Sequence, residues 1–293
     1  MEWIALVFVV VTLVFVLWVL YVEPYAYRLR EEEITFPFAG PENLTILHIT
    51  DLHYIPKRRR LLAFLRSLES VDADLVLHTG DFIDEPMDLD MLCGVLSNIK
   101  GRYGTFAVVG NHDRYRYRVI DPLVHPFHEH YKPERFRDID VVRSALEGIG
   151  IRCLFNSSET VDCGGVRLYV VGIDDPFMGY ENVEKAFSGV SNDAVAVVLV
   201  HSPQVYKETV RRQAALVLSG HTHGGQIRLP FLGALVTRCP LPRSMARGLT
   251  RVGDTTLFVS PGLGTSPNLP LRLFCPPEVT LFHIRFASTG TKQ

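Results

Sequence analysis

Two kinds of hydrophobic pattern separate the first segment of the chain from the rest. Residues 3–22 read WIALVFVVVTLVFVLWVLYV, a run with no charge in which Thr12 is the one obviously polar side chain. At helical rise, a run of this length crosses a hydrocarbon core of about 30 Å. The alternative is a cleaved signal peptide, but only Met1 and Glu2 precede the run and no small-residue cleavage motif follows it. The pattern therefore predicts an uncleaved membrane-spanning helix.

After this helix, short apolar runs alternate with helical patterns, as is typical of an α/β domain. Strands are predicted at 44–50, 75–79, 105–109, 166–172, 194–200, 216–219, 255–259 and 279–284. Helices are predicted at 61–68, 89–99 and 141–149, where apolar residues recur at helical spacing. We therefore divide the chain into an anchor at 1–27, a linker at 28–43, a domain at 44–286 and a flexible tail at 287–293.

The charges beside the anchor predict its orientation. Arg28 and Arg30 follow the apolar run, and no Lys or Arg precedes it. Because cytoplasmic flanks carry the excess of basic residues, we expect a single-pass protein of the inner membrane with a cytoplasmic domain.

The composition and charge of the chain argue against several classes of function. The chain has 293 residues, of which 47% are hydrophobic, so it can form one sizeable core. A net charge of -2 gives no general attraction to nucleic acid, and we expect no nucleic-acid partner. The 5 cysteines form no C-x-x-C pair, which favours buried reduced thiols over a disulfide framework or a zinc knuckle. Oligomeric state stays open.

Polar side chains follow five of the predicted strands. They are Asp51, His53, Asp81, Asn111, His112, His201, His221 and His223. Because strand ends line up along one edge of a sheet, these side chains can converge, and neighbouring glycines let the backbone turn tightly. Any one of these fragments alone is more often a polar turn or a buried core histidine, so the prediction depends on their joint occurrence.

In this order, DLH, GD, GNHD, H and GHTH strongly resemble the motifs of the calcineurin-like metallophosphoesterase superfamily, over about residues 44–285. The resemblance implies a four-layer α/β/β/α sandwich with two divalent metal ions. It assigns Asp51, His53 and His223 to one metal, Asn111, His201 and His221 to the other, and Asp81 to both. Imidazole, amide and carboxylate ligands suit Mn²⁺, Fe or Zn²⁺ better than Mg²⁺ or Ca²⁺. The resemblance favours Mn²⁺.

The same resemblance implies a reaction in which a metal-bridging hydroxide attacks phosphorus in line. His112 corresponds to the family histidine that contacts the phosphoryl group and protonates the leaving group. Asp84 corresponds to the carboxylate of a G-D-x-x-D motif that orients this histidine. For Asp84 the alternative is a helix cap or a solvated turn residue before Pro86.

Three segments are candidates for substrate binding. The basic run from Lys57 to Arg60 follows the first motif, and Arg58, Arg59 and Arg60 are predicted to bind phosphate or anionic lipid. A solvated first helical turn is the alternative for this run. Residues 114–143, which include Arg114, His125, His128 and His130, are predicted to form a polar cap over the site, with extra metal ligands as the alternative. Arg114 in this segment is also predicted to bind substrate. Apolar residues at 227–236 and 269–274 suit either ordinary core or a membrane-facing surface.

The GHTHGGQ run and the N-terminal helix resemble a subgroup of bacterial membrane-anchored phosphodiesterases. This subgroup includes UDP-2,3-diacylglucosamine diphosphatases of lipid A synthesis. We therefore expect hydrolysis of a phosphodiester or pyrophosphate, on a lipid-linked substrate such as UDP-2,3-diacylglucosamine. The alternatives are a tethered phosphodiesterase of soluble substrates and a non-catalytic scaffold of the same fold.

Overall fold

The computed structural model describes residues 1–36, 43–84, 89–117, 136–191, 195–265 and 270–287. In chain order the strands are β1 (Arg28–Phe36), β2 (Leu44–Ile49), β3 (Leu75–Thr79), β4 (Gly104–Val108), β5 (Arg152–Cys153), β6 (Ser157–Asp162), β7 (Arg167–Ile173), β8 (Val195–Val200), β9 (Leu216–Ser219), β10 (Arg228–Leu229), β11 (Gly233–Ala234), β12 (Gly248–Val252), β13 (Thr255–Val259) and β14 (Glu278–Phe286). The α-helices are α1 (Glu2–Leu17), α2 (Arg59–Ser67), α3 (Leu89–Leu96), α4 (Asn111–Arg114), α5 (Ile139–Gly148), α6 (Val183–Ala186) and α7 (Tyr206–Arg211).

Twelve of these strands form two six-stranded sheets. The first sheet has the order β1-β14-β2-β3-β4-β5, and the second has the order β12-β13-β9-β8-β7-β6. Strands β2, β3 and β4 are parallel to one another, as are β7, β8, β9 and β13. Consequently the loops that follow these strands leave each sheet at a single edge.

Three apolar clusters hold the layers together. One cluster packs α2, α3 and α5 on the outer face of the first sheet, through residues such as Leu65 and Leu146. A second lies between the sheets and includes Leu77, Phe106 and Val197. The third covers the outer face of the second sheet beside α6 and α7. The predicted α/β/β/α layering is therefore confirmed.

The segment predicted as a linker at 28–43 is not a linker along its first part. Arg28–Phe36 forms β1, an edge strand that pairs in parallel with β14. Its charged side chains face outward, where Glu31 lies 3.0 Å from His283 and Glu33 lies 2.8 Å from Arg285. An edge strand that is solvated in this way lacks the apolar alternation by which buried strands are recognised. Residues 37–42, and the tail after 287, lie outside the described part of the chain.

The N-terminal helix projects from this domain with every residue of α1 exposed. The helical path continues through a π turn at Trp18–Val22 and a 3₁₀ turn at Glu23–Tyr25, which makes Glu2–Tyr25 long and apolar enough to cross a membrane. Only Ala26 and Tyr27 separate it from β1. The domain is therefore joined to the end of the apolar helix by a very short connection.

Candidate metal centre

The structure brings all seven candidate ligands together at one edge of the two sheets. Asp51, Asp81 and Asn111 follow β2, β3 and β4 of the first sheet, and His53 lies in the same loop as Asp51. His201 follows β8 of the second sheet, and His221 and His223 follow β9. The two sheets thus face each other across the site, and each contributes side chains from the carboxyl ends of its strands.

The backbone at the site is strained. Five of the candidate ligands have positive φ between 43° and 66°: Asp51, His53, Asp81, His221 and His223. For a residue with a Cβ, this left-handed conformation costs roughly 1–2 kcal/mol. Such strain concentrates at functional sites, where the surrounding structure imposes it.

Glycines beside these residues create the space for them. A Cβ at Gly110 would overlap Asp81 Oδ1, and a Cβ at Gly220 would overlap Asp51 Oδ2. The glycines of the GNHD and GHTH motifs are therefore required so that the carboxylates fit against the backbone.

One group of acceptor atoms forms around His53, His223 and Asp51. The Nε2 atoms of His53 and His223 lie 3.1 Å apart, and each lies 3.9 Å from Asp51 Oδ1. His53 uses its other nitrogen, Nδ1, to donate to Asp84 Oδ1 at 2.7 Å. In a neutral imidazole the second nitrogen then carries a lone pair, and that lone pair faces the group.

A second group forms around His201, His221 and Asn111. Asn111 Oδ1 lies 3.2 Å from His201 Nε2 and 3.0 Å from His221 Nδ1. His201 Nδ1 donates to the carbonyl of Thr79 at 2.7 Å, and Asn111 Nδ2 donates to Tyr117 Oη at 3.1 Å. When His201 is neutral, as a metal ligand must be, its remaining nitrogen and the amide oxygen of Asn111 therefore present lone pairs to each other.

Asp81 lies between the two groups. Its Oδ2 atom is 3.5 Å from His53 Nε2 and 3.3 Å from His201 Nε2. Acceptor atoms that converge in this way repel one another unless a cation lies among them, so the donor set fits two metal ions that share Asp81. Ring nitrogens fixed by a carboxylate or a carbonyl on their far side are typical of histidines that bind metals.

The pKa values of the histidines show where positive charge is favoured. Burial lowers the pKa of His201, but the carboxylates of Asp81, Asp51 and Asp175 together outweigh burial and raise it to about 10. Burial and the neighbouring His201 lower the pKa of His221 to about 3. The carboxylates thus favour added positive charge inside a buried site, which is the electrostatic condition that a divalent cation meets.

Asp84 contacts two imidazoles with a single oxygen. Its Oδ1 atom lies 2.7 Å from Nδ1 of His53 and 2.7 Å from Nδ1 of His112. Burial raises the pKa of this carboxyl, but the two histidines outweigh burial and the net pKa is lowered. Asp84 is therefore a buried partner of His53 and His112, and the alternative of a solvated turn residue does not describe its surroundings.

Asp113 fixes the loop that follows β3. Its carboxylate accepts backbone N–H bonds from Asp81, Phe82, Ile83 and Gly110, at distances from 2.8 to 3.2 Å. Burial, reinforced by the charge of Asp81, raises the pKa of Asp113 to about 6. The residue thus positions Asp81 through the main chain.

A groove of about 270 Å³ leads to the site. Besides five site residues it is lined by Tyr117, Phe177, Thr222, Gly225, Gln226, Ile227, Leu235, Val236, Thr237 and Arg238. The ring of Phe177 lies 4.6 Å from that of His221, and the ring of Tyr117 lies 4.6 Å from that of His112. One wall is therefore aromatic, and Ile227, Leu235 and Val236 make the other apolar.

The residues that follow β7 were not among the predicted site residues. Asp174, Asp175 and Phe177 come directly after this strand, at the same sheet edge as the candidate ligands. Burial raises the pKa of Asp175 to about 7, and Asp174 pairs with Arg114 at 2.7 Å. Because β7 is a parallel strand like β2 and β8, the position of these residues at its end could have been predicted from sequence.

The arginines predicted to bind substrate lie elsewhere. Arg58 donates to Thr265 Oγ1 at 3.2 Å, Arg59 begins α2, and Arg60 lies over the ring of Tyr25. Arg114 pairs with Asp174 and stacks on Tyr180. Among the described residues these four arginines do not line the groove. Their role in substrate binding stays a prediction.

The predicted cap at 114–143 falls largely outside the described residues. Residues 118–135, which contain His125, His128 and His130, are not part of the description.

Comparisons with known proteins agree with this geometry. The family model for calcineurin-like phosphoesterases matches residues 44–225. The chain is 27% identical over 273 residues to the uncharacterized metallophosphoesterase YkuE of Bacillus subtilis, and the aligned residues cover 90% of this chain and 88% of that protein. It is 28% identical over 270 residues to the phosphodiesterase YaeI of Escherichia coli, which covers 90% of each. A transmembrane protein with metallophosphoesterase domain from Bos taurus is 27% identical over 257 residues, or 81% of this chain and 52% of the bovine protein.

Proposed function

Since the chain belongs to the calcineurin-like phosphoesterase family, and is thus a metal-dependent hydrolase, we propose that it cleaves a phosphodiester or pyrophosphate bond of a lipid-linked substrate at the membrane. In this proposal the N-terminal helix spans the inner membrane, and the domain faces the cytoplasm beside Arg28 and Arg30. The substrate class is a nucleoside diphosphate-linked acylated sugar such as UDP-2,3-diacylglucosamine.

The observation that carries the proposal is the pair of acceptor groups joined by Asp81. The family uses dinuclear divalent metal centres. Asp51, His53 and His223 would hold one ion, Asn111, His201 and His221 the other, and Asp81 both. When bound, two divalent ions supply a water of lowered pKa and neutralise charge that develops on the phosphate oxygens. The family resemblance leads us to assign Mn²⁺ first, and Fe and Zn²⁺ are the alternatives because imidazole, amide and carboxylate ligands suit all three metals.

In this proposal His112 supplies the proton for the leaving oxygen. Its ring lines the groove, while its Nδ1 atom is held at 2.7 Å by Asp84. Its backbone N–H donates to Asp81 Oδ1 at 2.8 Å, which fixes the residue beside the metal ligands. A histidine held at one nitrogen by a buried carboxylate keeps the other nitrogen oriented for proton transfer.

Two features favour a lipid-linked substrate. The apolar helix ends two residues before β1, so the domain that carries the groove would be held close to the membrane. The apolar wall of Ile227, Leu235 and Val236 begins beside His223 and Gln226, so an apolar group attached to the phosphate would meet apolar surface.

A tethered phosphodiesterase of soluble substrates is the second candidate. The volume of the groove favours it, since about 270 Å³ accommodates a small diester more readily than a large conjugate. A phosphodiesterase is also among the relatives, by its printed name.

A paired assay distinguishes these candidates. The full chain, purified in detergent and supplied with Mn²⁺, is tested on bis(p-nitrophenyl) phosphate and on UDP-2,3-diacylglucosamine in mixed micelles. The lipid-linked proposal expects a higher kcat/KM on the conjugate, and metal-dependent turnover of the diester. A preference for the diester would support the second candidate. Absence of activity on both, with two metal ions bound per chain, would exclude both proposals. The Asp81→Asn variant is the control for contaminating hydrolases.

A further inference from the structure

Large apolar side chains stand exposed around the hairpin formed by β10 and β11. Phe231 and Leu232 at its tip have relative exposures of 108% and 69%, and Val236 after β11 has 61%. Phe274, in the neighbouring loop, has 55%. We call these four residues the apolar rim. Contiguous exposed apolar residues on a folded domain mark a surface that contacts a protein or a membrane.

The apolar rim is connected by hydrogen bonds to the end of the N-terminal helix. The N–H of Arg228 donates to the carbonyl of Leu273 at 2.9 Å, and the N–H of Leu273 donates to Gln226 at 3.0 Å. On the other side of this loop, the N–H of Arg272 donates to the carbonyl of Val19 at 3.2 Å. The loop at 272–275 therefore lies between the hairpin and the last helical turns before the domain.

Glu23 strengthens this connection. Its side chain is buried and accepts from the N–H of Cys275 at 2.6 Å and from Trp18 Nε1 at 3.2 Å. Two residues, Ala26 and Tyr27, then lead into β1, and they span at most about 7 Å. The apolar rim is thus held beside the last turns of the apolar helix.

The basic run from Lys57 to Arg60 contacts the same end of the helix through Arg60. The guanidinium of Arg60 lies 5.1 Å from the ring centre of Tyr25, and the ring of Phe64 stacks on Tyr27 at 5.3 Å. Basic residues next to a membrane helix are attracted by anionic lipid headgroups, and aromatic residues favour the membrane interface. Anionic lipid headgroups are therefore an alternative to substrate as the binding partner of the basic run.

From these contacts we propose that the apolar rim and the basic run form one bilayer-contact face. Phe231, Leu232 and Phe274 enter the interface of the same bilayer that the N-terminal helix crosses. The groove leading to the metal centre then opens onto the lipid surface, with Val236 and Leu235 at its mouth. The inference rests on the proposed function in one respect, that the N-terminal helix spans the membrane.

This arrangement explains how a small groove could serve a large lipid-linked substrate. The groove has a volume of about 270 Å³, near the lower limit of sites that enclose a whole drug-sized ligand, about 300–1,000 Å³. Acyl chains would remain in the bilayer while the phosphate enters. Ile227, Leu235 and Val236 would line the path between the two.

A fluorescent label tests the contact directly. Phe231→Cys is introduced into the full chain, after replacement of the partly exposed Cys153 and Cys239 by alanine, and is labelled with a nitrobenzoxadiazole dye. The matched control is Asp254→Cys, since Asp254 precedes β13 and therefore lies at the opposite sheet edge from the site, with its side chain 97% exposed. Both proteins are reconstituted in nanodiscs of phosphatidylethanolamine and phosphatidylglycerol.

The proposal expects a blue-shifted emission at position 231, quenched by nitroxide-labelled lipid, and neither effect at position 254. An emission at 231 as red and as weakly quenched as at 254 would overturn it. Because this readout requires no turnover, it stands independently of the reaction assigned to the metal centre.

A second variant tests the consequence for substrate. Phe231→Asp combined with Leu232→Asp changes two residues that do not line the groove among the described residues. We expect kcat/KM on membrane-presented UDP-2,3-diacylglucosamine to fall by about tenfold or more, since two apolar side chains lose their burial. Activity on bis(p-nitrophenyl) phosphate should be unchanged. An equal loss on both substrates would show a structural role and contradict the proposal. Absence of activity on UDP-2,3-diacylglucosamine in the unsubstituted chain would instead contradict the proposed function, and the fluorescence measurement alone would then decide the bilayer contact.

Discussion

At the residue level, one carboxylate, that of Asp84, contacts both a candidate metal ligand and the proposed proton donor. His112 lines the groove, and Asp84 links it to His53, a candidate metal ligand. His112→Ala should therefore lower kcat by about 10²–10⁴-fold, the usual contribution of a general acid, and leave the metal content near that of the unsubstituted chain. Metal analysis by mass spectrometry together with diester kinetics checks this. Asp81→Ala is the contrast, because it should lose metal and activity together. Full activity in His112→Ala would remove its catalytic role.

A substitution of Asp84 should affect both metal affinity and kcat. Asp84→Asn keeps the size of the side chain and an acceptor oxygen, but removes the charge that orients both rings. Partners of metal-binding histidines typically contribute about 10–100-fold in metal affinity or activity. We expect Asp84→Asn to weaken metal binding by that factor in a chelator competition, and to lower kcat even at saturating metal. Unchanged metal affinity would show that Asp84 acts only through His112.

The sequence predicted the identity of these residues but not all their contacts. The motifs at the strand ends place Asp51, Asp81 and His221 in one region, because parallel strands end at one edge. The double contact of Asp84 depends on the distance between two loops, which residue spacing does not contain. Asp175 followed the same strand-end rule, but no residue motif marked it out.

At the level of elements, the loops that follow the strands pack so closely against one another that a single added methyl group would displace a candidate ligand. Gly110 ends the loop after β4, and its φ of -110° suits any residue, so space alone requires glycine there. Gly110→Ala should reduce metal binding and activity because the added Cβ would displace the Asp81 carboxylate. The matched control is Gly94→Ala in α3, where an added Cβ meets open space. That control should raise the free energy of unfolding by roughly 0.5–1 kcal/mol. Denaturant unfolding and metal titration of both variants check the contrast, and retention of full metal affinity in Gly110→Ala would contradict it.

The burial of a strand also explains whether it could be predicted from sequence. The predicted strands at 75–79 and 216–219 are central, buried on both faces and rich in Leu and Val, so an apolar run identified them. The edge strands β1, β6 and β12 consist mostly of exposed or partly buried residues and carry polar or charged side chains. Their stability depends on pairing with β14, β7 and β13, which a local pattern does not show.

At the level of the whole molecule, a buried arginine joins the N-terminal helix to the metal centre. The guanidinium of Arg272 is fully buried and donates to the carbonyls of Pro261, Gly262, Gly264 and Cys275. Gly262 and Gly264 pack against Asp51 and His53 so closely that an added Cβ would overlap them. The backbone of Arg272 meanwhile bonds to Val19. The apolar helix predicted from sequence is therefore continuous with the packing of the site, a connection that composition and hydropathy do not reveal.

The stability of the whole domain should depend on pH through His78 in β3. Its ring is fully buried, neither ring nitrogen has a hydrogen-bond partner among the described residues, and burial lowers its pKa from 6.5 to about 3. Between these two pH values the unfolded chain binds a proton that the folded chain does not, so the free energy of unfolding decreases as pH falls. From pH 7.5 to pH 5 this single group should cost about 2 kcal/mol. His78→Leu removes the titration without removing a hydrogen bond. The free energy of unfolding is measured for both proteins with urea in the presence of a chelator. The difference, variant minus unsubstituted chain, should be about 2 kcal/mol larger at pH 5 than at pH 7.5. An equal effect of the substitution at both pH values would mean that His78 does not contribute to acid unfolding.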